Sequence, residues 1–133
     1  MLPIVDDLLW LAMTVYMEAE GETYLGKLAV AFVVMNRARK GRLSVSDVIL
    51  RDRQFSAWNA DSPTRLRLDL LTPTDPVWRD CHKAACAAYY DLADDPSKGA
   101  SHYLNPAVLP KLPSWWDESK VTATIGRHRF ARL

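Results

Sequence analysis

The sequence lacks a long apolar segment, and this absence limits where the chain can reside. Its longest uninterrupted apolar run is residues 28–35, far shorter than the roughly 20 residues that a membrane-spanning helix needs. Residues 1–7 contain acids and no base, whereas a secretory signal begins with a basic segment and ends at a small-residue cleavage site. We therefore expect no stable membrane insertion and no signal peptide.

The chain also has little net charge. Its 17 Lys and Arg residues nearly balance its 16 Asp and Glu residues, which leaves a formal charge of +1. Because binding to a polyphosphate requires a basic field, we expect no nucleic-acid partner. Residues 127–133 are locally basic, which would favour an anionic surface such as a cell wall, although a solvated end is the commoner meaning of such a segment.

Cysteine is scarce as well. Only Cys81 and Cys86 are present, and in a helix a separation of five residues turns their side chains roughly 140° apart. They should not bond each other, which suits a protein made in a reducing compartment. His82 and Cys86 have a spacing that can hold zinc, but a zinc site needs four ligands. We expect neither a metal nor any other cofactor.

What the sequence does contain is the composition of a globular protein, with 49% hydrophobic and 25% charged residues. A chain of 133 residues has the length of one ordinary domain and buries a core without disulfide or metal support. We expect residues 1–133 to form a single domain, and nothing in the sequence favours more than a monomer.

Apolar residues at three- and four-residue steps predict a first helix from Asp6 to about Glu20, before Gly21. A second helix is predicted from Thr23 to about Arg39. Since residues 28–35 are apolar on nearly every side, this helix should be buried at the centre of the fold.

Capping signals predict two more helices. Ser44 is typical of the N-cap of a short helix over residues 45–52. Thr74 or Asp75, followed by Pro76, predicts the start of a helix that runs to about Leu92. Residues 53–73 between them should form a long connection, a kind of segment that often carries function.

The pattern changes after residue 97. Three prolines exclude long elements, residues 99–105 look short and irregular, and the alternation of Val121, Ala123 and Ile125 predicts a strand. The predicted fold class is therefore mainly α, with a small β hairpin or an irregular C-terminal part.

Three acids, Glu18, Glu20 and Glu22, crowd the end of the first predicted helix, where the macrodipole disfavours each by ~0.3 to 1 kcal/mol. Glu18 lies at the rim of the apolar face, where partial burial would raise its pKa. A carboxylic acid still protonated near neutral pH can supply the proton that the leaving oxygen of a glycosidic bond requires. The alternative, commoner for an isolated glutamate, is an acidic helix end that keeps the surface soluble.

Four segments of the chain, taken together and in order, form a recognisable set. They are residues 16–22 with Gly26, residues 29–31, Asn36 and Arg37; Gln54, Phe55, Ser56 and Trp58; Gly99, Ala100, His102, Tyr103, Asn105 and Pro106; and Ile125, Gly126, His128 and Phe130. This set resembles the signature of the SleB-type cell-wall hydrolases, a family of spore-cortex-lytic enzymes and related phage endolysins. The chain departs from the family at Met17, Glu20 and Leu25, where glycine, arginine and an acid are usual.

The resemblance implies a lysozyme-like, lytic transglycosylase-like fold and an enzyme that cleaves the MurNAc–GlcNAc bond of peptidoglycan glycan strands. It implies that Glu18 is the catalytic acid. The residues implied to bind sugar are Gln54, Phe55, Ser56, Trp58, His102, Tyr103, Asn105 and His128. Aromatic faces stack on pyranose rings, and amide and imidazole groups bond N-acetyl and hydroxyl groups. Core packing is the alternative for the aromatic members of this set.

A single acid bears on the mechanism. A hydrolase of the lysozyme kind needs a second carboxylate, for which Asp52, Asp61 and Asp69 are candidates, although none belongs to the matched segments. A lytic transglycosylase uses a hydroxyl of the muramic acid itself as the nucleophile, so that one glutamate acts as acid and then as base. Following the resemblance, we favour transglycosylation.

Other interpretations stay open. A peptidoglycan amidase or peptidase would need a full zinc site or a cysteine–histidine pair, and a non-catalytic wall-binding domain would use the same surface without cleavage. Trp115 and Trp116 are expected to cap the core rather than bind sugar. Because no export signal is found, we expect a phage endolysin, made in the host cytoplasm and released through a holin pore to the cell wall.

Overall fold

The computed structural model describes residues 3–51, 67–68 and 70–133, and within these ranges the chain is mainly helical. Helices α1 (Pro3–Ala19), α2 (Tyr24–Gly41), α3 (Val45–Leu50) and α4 (Pro76–Tyr89) come first. Strands β1 (His102–Leu104), β2 (Val121–Ile125) and β3 (His128–Ala131) follow. The predicted order, helices and then a small sheet, is confirmed.

Helices α2, α3 and α4 begin where short polar side chains cap them. The side chain of Thr23 accepts a hydrogen bond from the backbone N–H of Gly26, and that of Ser44 accepts one from Asp47. Of the two candidates for the start of α4, Asp75 is the cap, since its carboxylate accepts from the N–H groups of Val77 and Trp78. These caps satisfy backbone donors that a helix leaves free in its first turn.

Left-handed residues end α2 and α4. Arg42 follows α2 with φ 54°, and Asp91 follows α4 with φ 55°. After α4 the N–H of Leu92 returns to the carbonyl of Ala87 at 2.8 Å, which closes a Schellman motif. The helix therefore ends at Tyr89, before the predicted Leu92, because Leu92 already belongs to the cap.

Helix α2 forms the centre of the core. Residues 28–34 are no more than 4% exposed, and α2 packs against α1, α3 and α4. The expectation that this helix is buried at the centre of the fold is confirmed for residues 28–35, and the packing explains why this stretch shows no polar face.

The sheet has the order β1-β3-β2, with antiparallel pairing throughout. β2 and β3 form the predicted hairpin, with Ile125 opposite His128 and Gly126 in its turn at φ 56°. β1 was not predicted, because residues 99–105 looked irregular. It forms because the second edge of β3 pairs with it, placing Tyr103 opposite Phe130.

Asp95 joins the helices to the sheet. Its carboxylate accepts hydrogen bonds from the Asn36 side chain at 2.9 Å, from the N–H and hydroxyl of Ser97 at 2.8 and 2.7 Å, and from the Gly99 N–H at 3.0 Å. Asn36 also donates to the Ala100 carbonyl at 2.9 Å. The loop that leads into β1 is thereby fixed on α2.

Both cysteines are free, as predicted. Cys81 is fully buried, and burial raises the pKa of its thiol to about 12. Within the described residues no helix combines the length and apolarity that crossing a bilayer requires.

Candidate active site

Glu18 lies in the last turn of α1, and Tyr103 of β1 reaches it from the other end of the chain. The Tyr103 hydroxyl donates a hydrogen bond to Glu18 Oε1 at 2.5 Å, a length typical of a strong hydrogen bond to a carboxylate. Burial and the Glu18 carboxylate raise the pKa of Tyr103 well above its usual value. The tyrosine therefore stays protonated and keeps donating.

The other two acids at the end of α1 face different partners. Glu20 is ion-paired with Arg67 and interacts with the Tyr16 hydroxyl, whose pKa is raised by burial and then by this hydrogen bond. Glu22 turns to the β2–β3 hairpin. Of the three glutamates that the sequence groups together, only Glu18 meets Tyr103 among the described contacts.

Glu22 is the residue near the site that the sequence left unassigned. Its side chain is 7% exposed, and Oε1 accepts a hydrogen bond from the backbone N–H of Arg127 at 2.9 Å. The sequence signals for it were its place in the first segment of the family signature and an acid at a helix end, where the macrodipole disfavours one.

The His128 ring packs against the Tyr103 ring. The two rings make an edge-to-face contact with centroids 4.9 Å apart, and His128 is 8% exposed. Burial lowers the pKa of His128, against the opposing effect of Glu22, so the imidazole is neutral near pH 7. The sugar contact expected of His128 stays a prediction, and this position favours support of the Tyr103 ring.

His102 lies on β1 one residue before Tyr103 and faces a different neighbour. Its ring centroid is 5.5 Å from that of Trp115, and Nδ1 is 2.9 Å from the Ser101 hydroxyl. Burial lowers the pKa of His102 to about 4, helped by the positive charges of Arg37 and Lys40. A neutral imidazole beside an aromatic ring suits the sugar contact predicted for His102.

The two adjacent tryptophans do different things. Trp116 is buried against Leu104 and Ala131, so the predicted capping of the core is confirmed for it. For Trp115 that expectation is wrong, since it is 53% exposed. The small cluster that Trp116 forms with Leu104 and Ala131 does not include Trp115, which lies exposed beside His102.

Asn105 has a local task. Its side-chain oxygen accepts from the Ala107 N–H at 3.1 Å and caps the 3-10 turn Pro106–Val108. This cap explains the Asn-Pro pair of the motif, and the sugar-binding role stays a prediction. Gln54, Phe55, Ser56 and Trp58, like the acids Asp52, Asp61 and Asp69, lie outside the described residues.

His82 and Cys86, whose spacing on α4 could suit a metal ion, lie next to each other in the structure. Cys86 Sγ lies 3.9 Å from His82 Nδ1, and no group of three or more potential metal ligands occurs in the described part of the chain. His82 also lines an open depression of about 410 Å³ with Leu9 and Trp78. Leu9 and Glu18 are nine residues apart, which places them on opposite sides of α1, so this depression is separate from the Glu18 site.

Comparison with known proteins agrees with this architecture. The profile of the cell wall hydrolase family matches residues 21–131, beginning just after Glu18. A spore cortex-lytic enzyme of Oceanobacillus iheyensis is 30% identical over 132 residues, which cover 96% of this chain and 42% of that protein. The chain spans less than half the length of the curated relatives that it matches.

Two solved structures are similar over almost the whole chain. The catalytic domain of the germination-specific lytic transglycosylase SleB from Bacillus anthracis has a TM-score of 0.71 and 32% identity, covering 96% of this chain and 94% of that one. The SleB catalytic domain from Bacillus cereus has a TM-score of 0.72 and 31% identity, covering 96% and 91%. The predicted lysozyme-like fold is confirmed by these neighbours, and the chain belongs to the cell wall hydrolase family of enzymes.

Proposed function

We propose that the chain cleaves the MurNAc–GlcNAc bond of peptidoglycan glycan strands, with Glu18 as the general acid. The observation that carries the proposal is the hydrogen bond from Tyr103 to Glu18 Oε1 at the end of α1. It is supported by 32% identity to a SleB catalytic domain named as a lytic transglycosylase.

Tyr103 gives Glu18 a defined orientation. With Oε1 engaged by the tyrosine hydroxyl, the proton of the carboxylic acid belongs on Oε2. Once Glu18 has given that proton to the glycosidic oxygen, the Tyr103 hydroxyl stabilises the carboxylate that forms. A hydrogen bond to the charged product of the step lowers the barrier.

Lytic transglycosylation is the reaction that these residues fit best. The glycosidic C–O bond breaks as its oxygen takes the Glu18 proton, and a hydroxyl of the muramic acid then attacks the anomeric carbon. That hydroxyl returns its proton to Glu18, which leaves an anhydromuramic end. Glu20 and Glu22 supply no second carboxylate, because they are engaged with Arg67 and with the Arg127 backbone.

The test is Glu18→Gln, with Glu20→Gln as the matched control. We expect Glu18→Gln to lower the cleavage of purified peptidoglycan by at least about 100-fold, while sedimentation with intact sacculi is unchanged. Glu20→Gln should stay within about twofold of the parent enzyme, since surface changes away from the chemistry have small effects. Cleavage that survives Glu18→Gln contradicts the assignment of the acid.

Mass spectrometry of the products separates the reaction types. Anhydromuramic ends are expected, whereas reducing muramic ends would mean hydrolysis with a second carboxylate. Cut stem peptides would mean an amidase or peptidase, and wall binding without any product would mean a non-catalytic module.

The biological setting is a separate proposal. We propose an endolysin that reaches the wall after holin-dependent release, whereas the named relatives are spore cortex-lytic enzymes. The two roles are distinguished by applying the purified protein to outer-membrane-stripped cells and to isolated spore cortex. We expect lysis of the cells. Activity on the cortex alone contradicts the endolysin role.

A further inference from the structure

Glu22 is a buried carboxylate that the proposed chemistry does not use. Its side chain is 7% exposed, and burying a carboxylate is costly unless hydrogen bonds or opposite charges compensate. Among the described residues, its side-chain oxygen Oε1 contacts one segment: the N–H of Arg127 at 2.9 Å and the ring of His128, whose Nδ1 is 3.7 Å away. A cost of this kind at the junction of α1 and α2 calls for a function.

The hairpin turn is shaped to receive this carboxylate. Gly126 has φ 56°, a conformation that side chains rarely adopt. A Cβ built at Gly126 collides with Glu22 Oε1. A side chain at position 126 would therefore be strained and would displace the Glu22 carboxylate from the turn.

His128 carries the contact from the turn toward the active site. Among the described residues its Nδ1 has no hydrogen-bond partner although it is buried, and burial lowers the pKa of the ring. The approach of Glu22 to His128 is therefore packing against a neutral imidazole rather than an ion pair. On its other side the ring meets Tyr103, with centroids 4.9 Å apart and planes at 64°.

We infer that Glu22 is a positioning residue, which holds the β2–β3 turn so that His128 keeps the Tyr103 ring where its hydroxyl meets Glu18. This inference rests on the proposed function of Glu18. The last step in the series is a 2.5 Å hydrogen bond, so a small displacement of the Tyr103 ring breaks it. Misplacement of a reacting group by about 1 Å lowers rates by as much as about 100-fold.

A double-mutant cycle tests whether Glu22 acts through the Tyr103 hydroxyl. We measure kcat and KM on soluble glycan strands for the parent, Glu22→Ala, Tyr103→Phe and the double variant. We expect Glu22→Ala to lower kcat about tenfold with KM unchanged, but by less than about twofold when Tyr103 is already phenylalanine. Equal losses in both backgrounds, or no loss in the parent, overturn the inference.

Two further variants keep the test decisive if Glu22→Ala does not fold. Gly126→Ala pushes a methyl group against Glu22 Oε1 without changing an ionisable group, and the same cycle is then run with it, with the same expected pattern. Glu22→Gln keeps an oxygen that accepts from Arg127, so it should retain at least about half of the parent kcat. A glutamine variant as impaired as the alanine variant contradicts the positioning role.

Glu20→Ala is the matched control, because it removes a neighbouring glutamate that faces Arg67 instead of the hairpin. Its kcat should stay within about twofold of the parent value. Glu18→Gln separates the two proposals. If that variant is active, the proposed acid is wrong; if it is inactive while the cycle with Glu22 is additive, only the positioning role fails.

Discussion

The helical region and the sheet region of this protein are held together by different interactions. Helices α1 to α4 share one large apolar cluster centred on α2, which Phe130 of β3 also joins. The sheet has a small second cluster, which consists of Leu104, Trp116 and Ala131. Besides Phe130, two carboxylates connect the sheet region to the helices: Asp95 accepts from Asn36 of α2, and Glu22, which follows α1, accepts from the hairpin turn.

This difference separates stability from activity. Apolar burial in the helices supplies most of the free energy of folding, since it scales with the area removed from water. The carboxylates position the polypeptide segments, because Asp95 accepts four hydrogen bonds and Glu22 accepts one from the hairpin turn. Changes in the apolar core should therefore unfold the protein, whereas changes at these carboxylates or at the Tyr103 hydroxyl should mainly slow it.

The largest expected effect is on stability, from Phe32→Ala in α2. Phe32 is 2% exposed, and removing a buried phenylalanine side chain costs about 3 to 5 kcal/mol of unfolding free energy. Denaturant unfolding followed by circular dichroism measures this. The activity of the fraction that remains folded should change little. A large loss of kcat in that fraction would contradict the separation of stability from activity between the two regions.

Tyr103→Phe is expected to have a smaller effect on stability and its main effect on activity. The ring stays in place against His128 and Phe130, so the loss of unfolding free energy should not exceed that of a hydrogen bond to a charged group, about 1.5 to 3 kcal/mol. The loss of the hydroxyl that meets Glu18 should lower kcat at least about tenfold. Turnover on glycan strands and a melting curve on the same sample give both numbers. Parent-like turnover would remove Tyr103 from the mechanism.

The smallest effect is a pH dependence that originates in the sheet region. The pKa of His102 is about 4 in the folded protein, below its ordinary value of 6.5, so the unfolded chain binds a proton first as the pH falls. Stability from this group is complete above pH 6.5, declines toward pH 4 and then levels off.

Because the His102 ring is only half-buried, the decline should amount to no more than about 1 kcal/mol. Unfolding free energies between pH 7 and pH 4 for the parent and His102→Gln measure it. The variant should show a shallower slope, and identical slopes would assign the pH dependence to other groups, such as His128, whose pKa is lowered as well.

Structural features that depend on residues close together in the chain were predicted well from the sequence. The starts of α2, α3 and α4 follow from Thr23, Ser44 and Asp75, because a cap and the donors that it satisfies are only two or three residues apart. The burial of α2 followed from its continuous apolar run, since a helix without a polar face has to be surrounded.

Contacts between distant segments were not predictable in the same way. Tyr103 and Glu18 are 85 residues apart, and β1 has no pattern of its own because its pairing with β3 makes it a strand. The family resemblance selected Tyr103 but did not say what it touches, and it left Glu22 without a role. Asn105 shows the reverse, since part of its place in the motif is explained by a local cap.

The unequal burial of the two thiols makes the protein convenient for labelling. Cys81 is fully buried with a pKa of about 12, so thiolate chemistry there is suppressed, whereas Cys86 is only partly buried beside His82. A maleimide dye should therefore react first at Cys86. That places a fluorescent reporter of wall attachment on α4 without altering a residue assigned to cleavage.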